Sequence, residues 1–183
     1  MQSPQIQSEV EVILNGVQHL YQKQQRIALY KLIYKTHPAD MAWVFRHLDS
    51  VERRDIFKYI RRMKGAGEFI VNLDESIIAE ILTPLSNKNI SQILSGMDSD
   101  DIVEVLDTFE YDRSIAIQDL LSSEEKEDVR ELIQYPEESA GRIMNTTFLT
   151  FNENSTVFDA INEFQSIGDE IETTSYIYVV DEK

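Results

Sequence analysis

The sequence predicts a mostly α-helical fold, a superhelical solenoid of short helices followed by a strand–helix–strand unit. Three observations support this prediction. An apolar residue opens a new block every twelve positions, apolar residues recur at relative positions 6, 9 and 10 of each block, and the pattern becomes strand-like after residue 144. Residues at positions 6, 9 and 10 share one face of a helix, and internal repetition at a fixed period indicates a stacked architecture. The blocks begin at Leu73, Leu85, Met97, Phe109 and Leu121.

The second position of each block carries a residue type suited to a helix N-terminus. Such side chains accept hydrogen bonds from the free N–H groups of the first turn. Helices of about two turns are marginal in water, so each must bury its apolar stripe on its neighbours. We therefore expect nearest-neighbour stacking, as in an α-solenoid. The predicted capping residues are Asp74, Ser86, Asp98, Glu110 as a weak version, and Ser122.

Helical spacing of apolar residues defines the predicted helices in chain order. Pro38 ends the second helix, because a residue before proline leaves the α region, and it suits the first turn of the third. The repeat breaks at the glycine-containing stretch 64–67. The predicted helices cover residues 7–22, 24–35, 38–47, 51–63, 75–82, 88–94, 100–106, 113–120 and 124–134.

A second unit follows the helical series. Tyr135 and Pro136 end the helices, and residues 136–147 form a linker after a helical domain of residues 1–135. Residues 148–183 then read as a partial α/β domain with strands at 148–151 and 175–180. The helix between them is capped by Ser155 or Thr156 and stopped by Gly168. A lone βαβ unit leaves sheet edges uncovered, so we expect the chain to end inside a domain.

Charge and composition exclude several function classes. The net charge is −16, with +5 over residues 1–64 and −21 over residues 65–183, so the larger part should repel nucleic acid and attract cations. The absence of cysteine excludes thiolate zinc sites. His19, His37 and His47 are too scattered for a metal triad, and no catalytic arrangement of side chains is evident. We therefore expect a protein that is not an enzyme.

A run of acids is the strongest candidate for a site. No basic residue lies between Lys88 and Arg113. On a helix, Asp100, Glu104 and Asp107 share one face, where like charges four residues apart cost about 0.2–0.5 kcal/mol per pair. A divalent cation reverses that sign, and Mg2+ prefers oxygen ligands while keeping several waters. The acids of the run are Asp98, Asp100, Asp101, Glu104, Asp107, Glu110 and Asp112.

The same run is also compatible with a solvated acidic helix face. In that interpretation Asp98 is an N-cap and Asp101 lies in the first turn, where the helix dipole favours acids. Residue pattern alone leaves both interpretations open.

Several segments resemble MgtE-type magnesium transporters. Residues Tyr135–Met144, with the sequence YPEESAGRIM, resemble the link between the N-terminal helical domain and the first CBS domain. Residues Tyr176–Asp181 resemble a strand of that CBS domain. His37–Asp40 and Met97–Asp101 resemble repeats of the helical domain. The resemblance covers about residues 30–183.

The resemblance implies a regulatory function. In that family a superhelical N domain and a tandem CBS pair lie on the cytosolic side of a dimeric channel, bind Mg2+ between them and hold the pore closed when Mg2+ is plentiful. The chain is then expected to be a soluble part of a multipass membrane protein, at the cytoplasmic face. Its partners are the second CBS domain, the transmembrane domain and a second copy. Magnesium is the expected ion, with cobalt as a second candidate.

The resemblance also selects residues for the site. The family places an acidic pair four residues apart in the Met97 block, facing the CBS domains, and Asp100 and Glu104 occupy those positions. Asp101 and Asp107 are secondary candidates, and the Mg2+ site is expected to be weak or incomplete in this chain. Arg142 stands where the family often has a second glycine, which matters little if only the backbone carbonyl there is a ligand. The alternative is a helical-repeat scaffold without a metal role, resembling flagellar motor switch proteins.

Overall fold

A computed structural model describes residues 4–63, 65–144, 150–167 and 177–181. Its helical part confirms the predicted mostly helical class. Described in chain order, the helices are α1 Pro4–Gln22, α2 Arg26–Lys35, α3 Pro38–Arg46, α4 Ser50–Ile60, α5 Ala66–Val71, α6 Glu75–Leu82, α7 Asn87–Leu94, α8 Ser99–Asp107, α9 Tyr111–Gln118 and α10 Ser123–Ile133. A 3-10 helix, Ala140–Ile143, follows them.

The helices stack in an alternating order. Helix α1 packs on α3, α3 on α5, α5 on α7 and α7 on α9, while α2 packs on α4, α4 on α6 and α8 on α10. In these pairs a helix packs on the second helix after it along the chain. This is the packing expected when short helices bury an apolar stripe on their neighbours, and it produces one continuous core. Its largest fully buried side chains are Phe45, Phe69, Ile56, Ile70, Ile78, Leu82, Ile90, Leu94, Ile102, Leu106, Ile117 and Leu132.

The twelve-residue repeat is reproduced in the structure. Position 6 is buried at Ile78, Ile90 and Ile102, and positions 9 and 10 are buried in the same three blocks. The five predicted capping residues all occupy N-cap positions. Ser86 and Ser122 accept the expected hydrogen bonds from the third residue of their helices. The sequence period therefore marks the start of helices α6 to α10 and the buried face of α6, α7 and α8.

The imperfect block at α9 has a polar substitute for the missing apolar pair. Ser114 and Gln118 stand at positions 6 and 10, and Gln118 is 4% exposed. Its Nε2 donates to Ser114 Oγ at 3.3 Å. The polar groups are thus paired with each other inside the stack, which avoids the cost of an unsatisfied buried amide.

Two helical segments were not predicted. Helix α5 lies where the repeat breaks, because glycine at position 67 obscures the helical pattern. A Cβ built on Gly67 would lie 2.4 Å from Met97 Cγ, so glycine lets Met97, the first residue of the third block, pack against α5. The 3-10 helix Ala140–Ile143 lies inside the predicted linker.

Gln24 has a φ of 54°, which delays the start of α2 from the predicted residue 24 to Arg26.

The second unit contains a two-stranded parallel sheet, β1 Thr150–Asn152 and β2 Tyr178–Val180, joined through α11 Val157–Ile167. Phe151 pairs with Val179 in the register. This arrangement agrees with the predicted strand–helix–strand order. The first half of strand 148–151, the stop at Gly168 and residues 175–176 lie outside the described residues. Among the helices described, none is both long and apolar enough to cross a bilayer.

Candidate metal site on helix α8

Helix α8 is built by the apolar face of its block. Ile102, Val103, Val105 and Leu106 are at most 2% exposed, and the helix packs on α9, α10 and the 3-10 helix. Asp98 is the N-cap residue. Because this face is buried, the opposite face lies outside the core. It carries Asp100, Glu104 and Asp107.

Asp100 and Glu104 share that outer face and are not neutralised by a neighbouring base. Neither carboxylate lies within 4.0 Å of a lysine, arginine or histidine nitrogen among the described residues. Glu104 is exposed and Asp100 is half-buried. The Oδ1 atom of Asp100 is buried and has no hydrogen-bond partner in the described part of the chain. A buried carboxylate oxygen without a donor is costly, and a bound cation would offset that cost.

The basic residue at the end of the acidic run is used elsewhere. Arg113 donates from Nη1 to the Thr83 carbonyl at 3.0 Å, from Nη2 to the Leu85 carbonyl at 2.6 Å and from Nε to Asn87 Oδ1 at 3.2 Å. Its guanidinium also lies 4.9 Å from the centre of the Phe109 ring. Arg113 therefore ties α9 to the turn between α6 and α7 and does not neutralise Asp100 or Glu104.

Asp107, a secondary candidate, is paired with the linker. Arg142 Nη2 donates to Asp107 Oδ1 at 2.8 Å and to Oδ2 at 2.9 Å. The Arg142 side chain is 8% exposed and that of Asp107 is 48% exposed. A positive charge at this end of α8 also complements the helix dipole. Asp101, the other secondary candidate, has an interaction of its own.

The linker is folded so that it delivers Arg142 to α8. Ser139 donates from both its N–H and its hydroxyl to the Pro136 carbonyl, at 2.9 and 2.7 Å. The Tyr135 ring lies against Gly141, where an added Cβ would come within 2.5 Å of Tyr135 Cδ1. A side chain at position 141 would therefore displace the ring, and glycine allows the linker to fold back onto α10.

The start of α8 is fastened to α10 by Glu125. Its Oε1 accepts from the Gly96 N–H at 2.9 Å, and its Oε2 accepts from the Ser122 N–H at 2.9 Å. Burial by itself raises the pKa of Glu125, but the hydrogen bonds from Gly96 and Ser122 outweigh burial and hold the pKa below its usual 4.5. Gly96, with a φ of 82°, lies in the turn just before α8, so this carboxylate fixes where α8 begins.

The geometry partly fits a magnesium ion. Asp100 and Glu104 offer hard oxygen ligands on one face, and Mg2+ usually binds through one or two carboxylates together with waters. No group of three or more acid, histidine or cysteine side chains is placed to hold a metal within the described residues. The described acid, histidine and cysteine side chains thus supply at most part of a metal site here, and a bound ion would need water or other oxygen groups as further ligands.

Sequence reasoning gave Arg142 no side-chain role, yet it is the residue that connects the linker to α8. A signal was present in the sequence. Arg142 is the only lysine or arginine between Arg130 and Lys183, within the strongly acidic part of the chain. A single arginine in such a segment is a candidate for a specific ion pair.

Comparisons with known proteins identify the family of the helical part and the fold of the chain. Residues 36–138 match the family model of the MgtE intracellular N domain. A 56-residue stretch is 39% identical to the "Magnesium transporter MgtE" of Enterococcus faecalis (strain ATCC 700802 / V583), which is 31% of this chain and 12% of that protein. The chain therefore spans only a small part of that relative.

Two solved structures share the fold over nearly the whole chain. One is the soluble part of a magnesium transporter, with a TM-score of 0.80 and 25% identity over 94% of this chain and 68% of the other. The second is the cytosolic domain of the Mg2+ channel MgtE in complex with ATP, with the same TM-score and identity over 92% and 69% of the two chains. Since the family model matches more than half of the 183 residues, the chain belongs to the family of the MgtE intracellular N domain.

Proposed function

We propose that the chain is the magnesium-sensing regulatory region of an MgtE-like transporter, and that Asp100 and Glu104 are its metal ligands on α8. The observation that carries the proposal is the buried Oδ1 of Asp100, which lacks a donor within the described residues. Family membership supports Mg2+ as the ion, because the similar proteins are named as magnesium transporters. Cobalt remains the second candidate ion.

Electrostatics provides the mechanism. The region after residue 64 carries 21 more acids than bases, so a neighbouring acidic domain would be repelled from it. A hydrated divalent cation that binds Asp100 and Glu104 on one side and the facing domain on the other reduces that repulsion. It thereby favours the compact arrangement. When the ion leaves, the parts separate. The change is a population shift that depends on a higher cation affinity in the compact state.

The domain boundaries follow from the same proposal. We assign residues 1–135 to the N domain, 136–147 to the linker and 148–183 to the start of a first CBS domain. The parallel pairing of β1 with β2 supports this assignment. So does the exposed apolar surface of Phe158, Ile161, Val179 and Val180, which suits burial under further layers of an α/β domain.

The assignment places the chain at the cytoplasmic face of a membrane. Its partners would be a second CBS domain, the transmembrane domain and a second copy of the transporter. A regulatory role requires no catalytic residue, so we assign the chain to the non-enzymatic part of the transporter. Mg2+ is then both the transported ion and the regulatory ligand.

A paramagnetic titration tests the metal ligands. Mn2+ resembles Mg2+ in its preference for oxygen ligands, and it broadens the NMR signals of nearby amides even when it binds weakly. We expect Mn2+ to broaden the amides of α8 around Asp100 and Glu104 first, and Mg2+ to reverse the effect. The substitutions Asp100→Asn and Glu104→Gln together should abolish this broadening.

A matched variant controls for charge. Glu110→Gln with Asp112→Asn removes the same two charges from exposed positions of the same acidic run. This control should leave the broadening at α8 unchanged. If the control abolishes the broadening equally, or if the Asp100 and Glu104 variant keeps it, the assignment of the metal ligands is wrong.

A further inference from the structure

We infer that Arg142 acts as a built-in cation on α8, holding the linker to the helical domain without a divalent ion. The inference deepens the proposed function and rests on it for the role of the metal, because it concerns the same acidic face. It divides that face into two ends. At one end, Asp100 and Glu104 are available to bind a cation from solution. At the other end, Asp107 is paired with Arg142.

The geometry of the ion pair supports a permanent contact. Both Asp107 oxygens accept from Arg142 Nη2 at hydrogen-bond distance. The arginine is the buried partner, at 8% exposure against 48% for the aspartate. A nearly buried guanidinium is not readily displaced by an ion from solution, since it would leave its only described anionic partner. The contact itself requires no divalent ion, so it persists at low as well as high magnesium.

Further contacts, in addition to the ion pair, position the backbone around Arg142. The Arg142 N–H donates to the Ser139 carbonyl at 3.0 Å. Tyr135 covers Gly141, and Met144 packs against the helical core. These contacts limit the positions that the Arg142 side chain can reach. The guanidinium is therefore presented to α8 by a short, ordered turn.

Charge balance explains why an arginine is useful at this position. Glu104 and Asp107 are three residues apart on one face, so they form a second acidic pair beside Asp100 and Glu104. With a neutral residue at position 142, that second pair would be open to a divalent cation, and linker docking would depend on the ion. Arg142 removes this dependence. It thereby confines magnesium sensitivity to the Asp100 end of α8.

Amide hydrogen exchange of the 3-10 helix tests the inference. Exchange of the Arg142 N–H is compared in EDTA and in saturating MgCl2 for the unchanged chain, Arg142→Gln and Arg142→Lys. We expect equal protection of the unchanged chain in both solutions. Arg142→Gln should lose protection about tenfold or more in EDTA, because a hydrogen-bonded charge is removed, and should regain part of it in MgCl2. Arg142→Lys should lie between the two.

Arg130→Gln is the matched control, because it removes an arginine from α10 whose side chain is 60% exposed and lies 3.8 Å from its acidic partner. It should leave linker protection unchanged. The inference is overturned if protection of the unchanged chain requires MgCl2, if Arg142→Gln stays protected in EDTA, or if MgCl2 restores nothing.

Failure of the proposed function would look different. In that case Mn2+ would not broaden the amides near Asp100 and Glu104, while the EDTA measurements on Arg142 would still show the metal-free contact.

Discussion

Replacing Glu125 with glutamine should weaken the helical domain, and the size of the effect should depend on pH. The two carboxylate oxygens accept from two different backbone N–H groups, Gly96 in the turn before α8 and Ser122 at the start of α10. Glutamine has one acceptor oxygen and presents an NH2 group in place of the other. One of the two N–H groups would then face a donor.

The expected loss at neutral pH is about 1–2 kcal/mol in the free energy of unfolding. Hydrogen bonds to charged groups contribute about 1.5–3 kcal/mol each, and the variant retains one of the two. The lower part of that range applies because Gly96 and Ser122 are exposed, so the released N–H can reach water.

The pH dependence follows from the lowered pKa of Glu125. The unfolded chain has the usual value of 4.5 and the folded chain a lower one. Below 4.5 the unfolded state therefore binds the proton more readily, and the stabilisation by the carboxylate is lost as the pH falls through the folded pKa. Glutamine does not titrate, so the difference between the two proteins should shrink in acid.

Urea unfolding followed by far-ultraviolet circular dichroism measures both effects. Glu124→Gln is the control, because Glu124 is exposed in the same first turn of α10 and its loss removes the same charge from the helix end. The control should change stability by less than about 0.5 kcal/mol. Equal losses for both variants, or a Glu125→Gln loss that stays constant from neutral to acid pH, would refute the reasoning.

Three further predictions concern other contacts. Tyr21→Phe removes the hydrogen bond from the phenol to Asp55, 2.8 Å long, and should cost about 1 kcal/mol by urea unfolding. That hydrogen bond raises the Tyr21 pKa from 10.0 to about 12, so the unchanged chain should lose stability between these pH values and the variant should lose less. Leu106→Ala, at a side chain 1% exposed, should cost about 2–5 kcal/mol in the same assay. Asp107→Ala should destabilise more than Arg142→Met, because it leaves a buried guanidinium without its partner; equal losses would contradict this.

The helical architecture could be predicted because its cause is local. A period of twelve residues places a capping side chain and three apolar positions in each block, and both features act within one helix. Helix α5 could not be predicted from the same signals. Its glycine at position 67 is required by the approach of Met97, a residue thirty positions away in the sequence, and such a contact leaves no periodic trace.

The candidate site was partly predictable for the same reason. The shared face of Asp100 and Glu104 is a property of one helix, so the spacing was sufficient to place them together. Whether each acid is free is a property of tertiary contacts. By spacing alone, Asp107 is as good a candidate ligand as Asp100 and Glu104. In the structure, however, Arg142, 35 residues further along the chain, forms an ion pair with it.

The net charge of the chain is therefore a poor guide to which of its carboxylates can bind a metal ion. Arg113 lies at the edge of the acidic run, yet its guanidinium is used by backbone carbonyls. Asp107 is neutralised by the linker, and Glu125 is used by two backbone N–H groups. A dissolved cation gains little at such carboxylates, because the fold already compensates their charge. Asp100 and Glu104 lack that compensation within the described residues, so a cation would relieve their repulsion, and this difference, rather than the net charge, is the reason that we propose them as ligands.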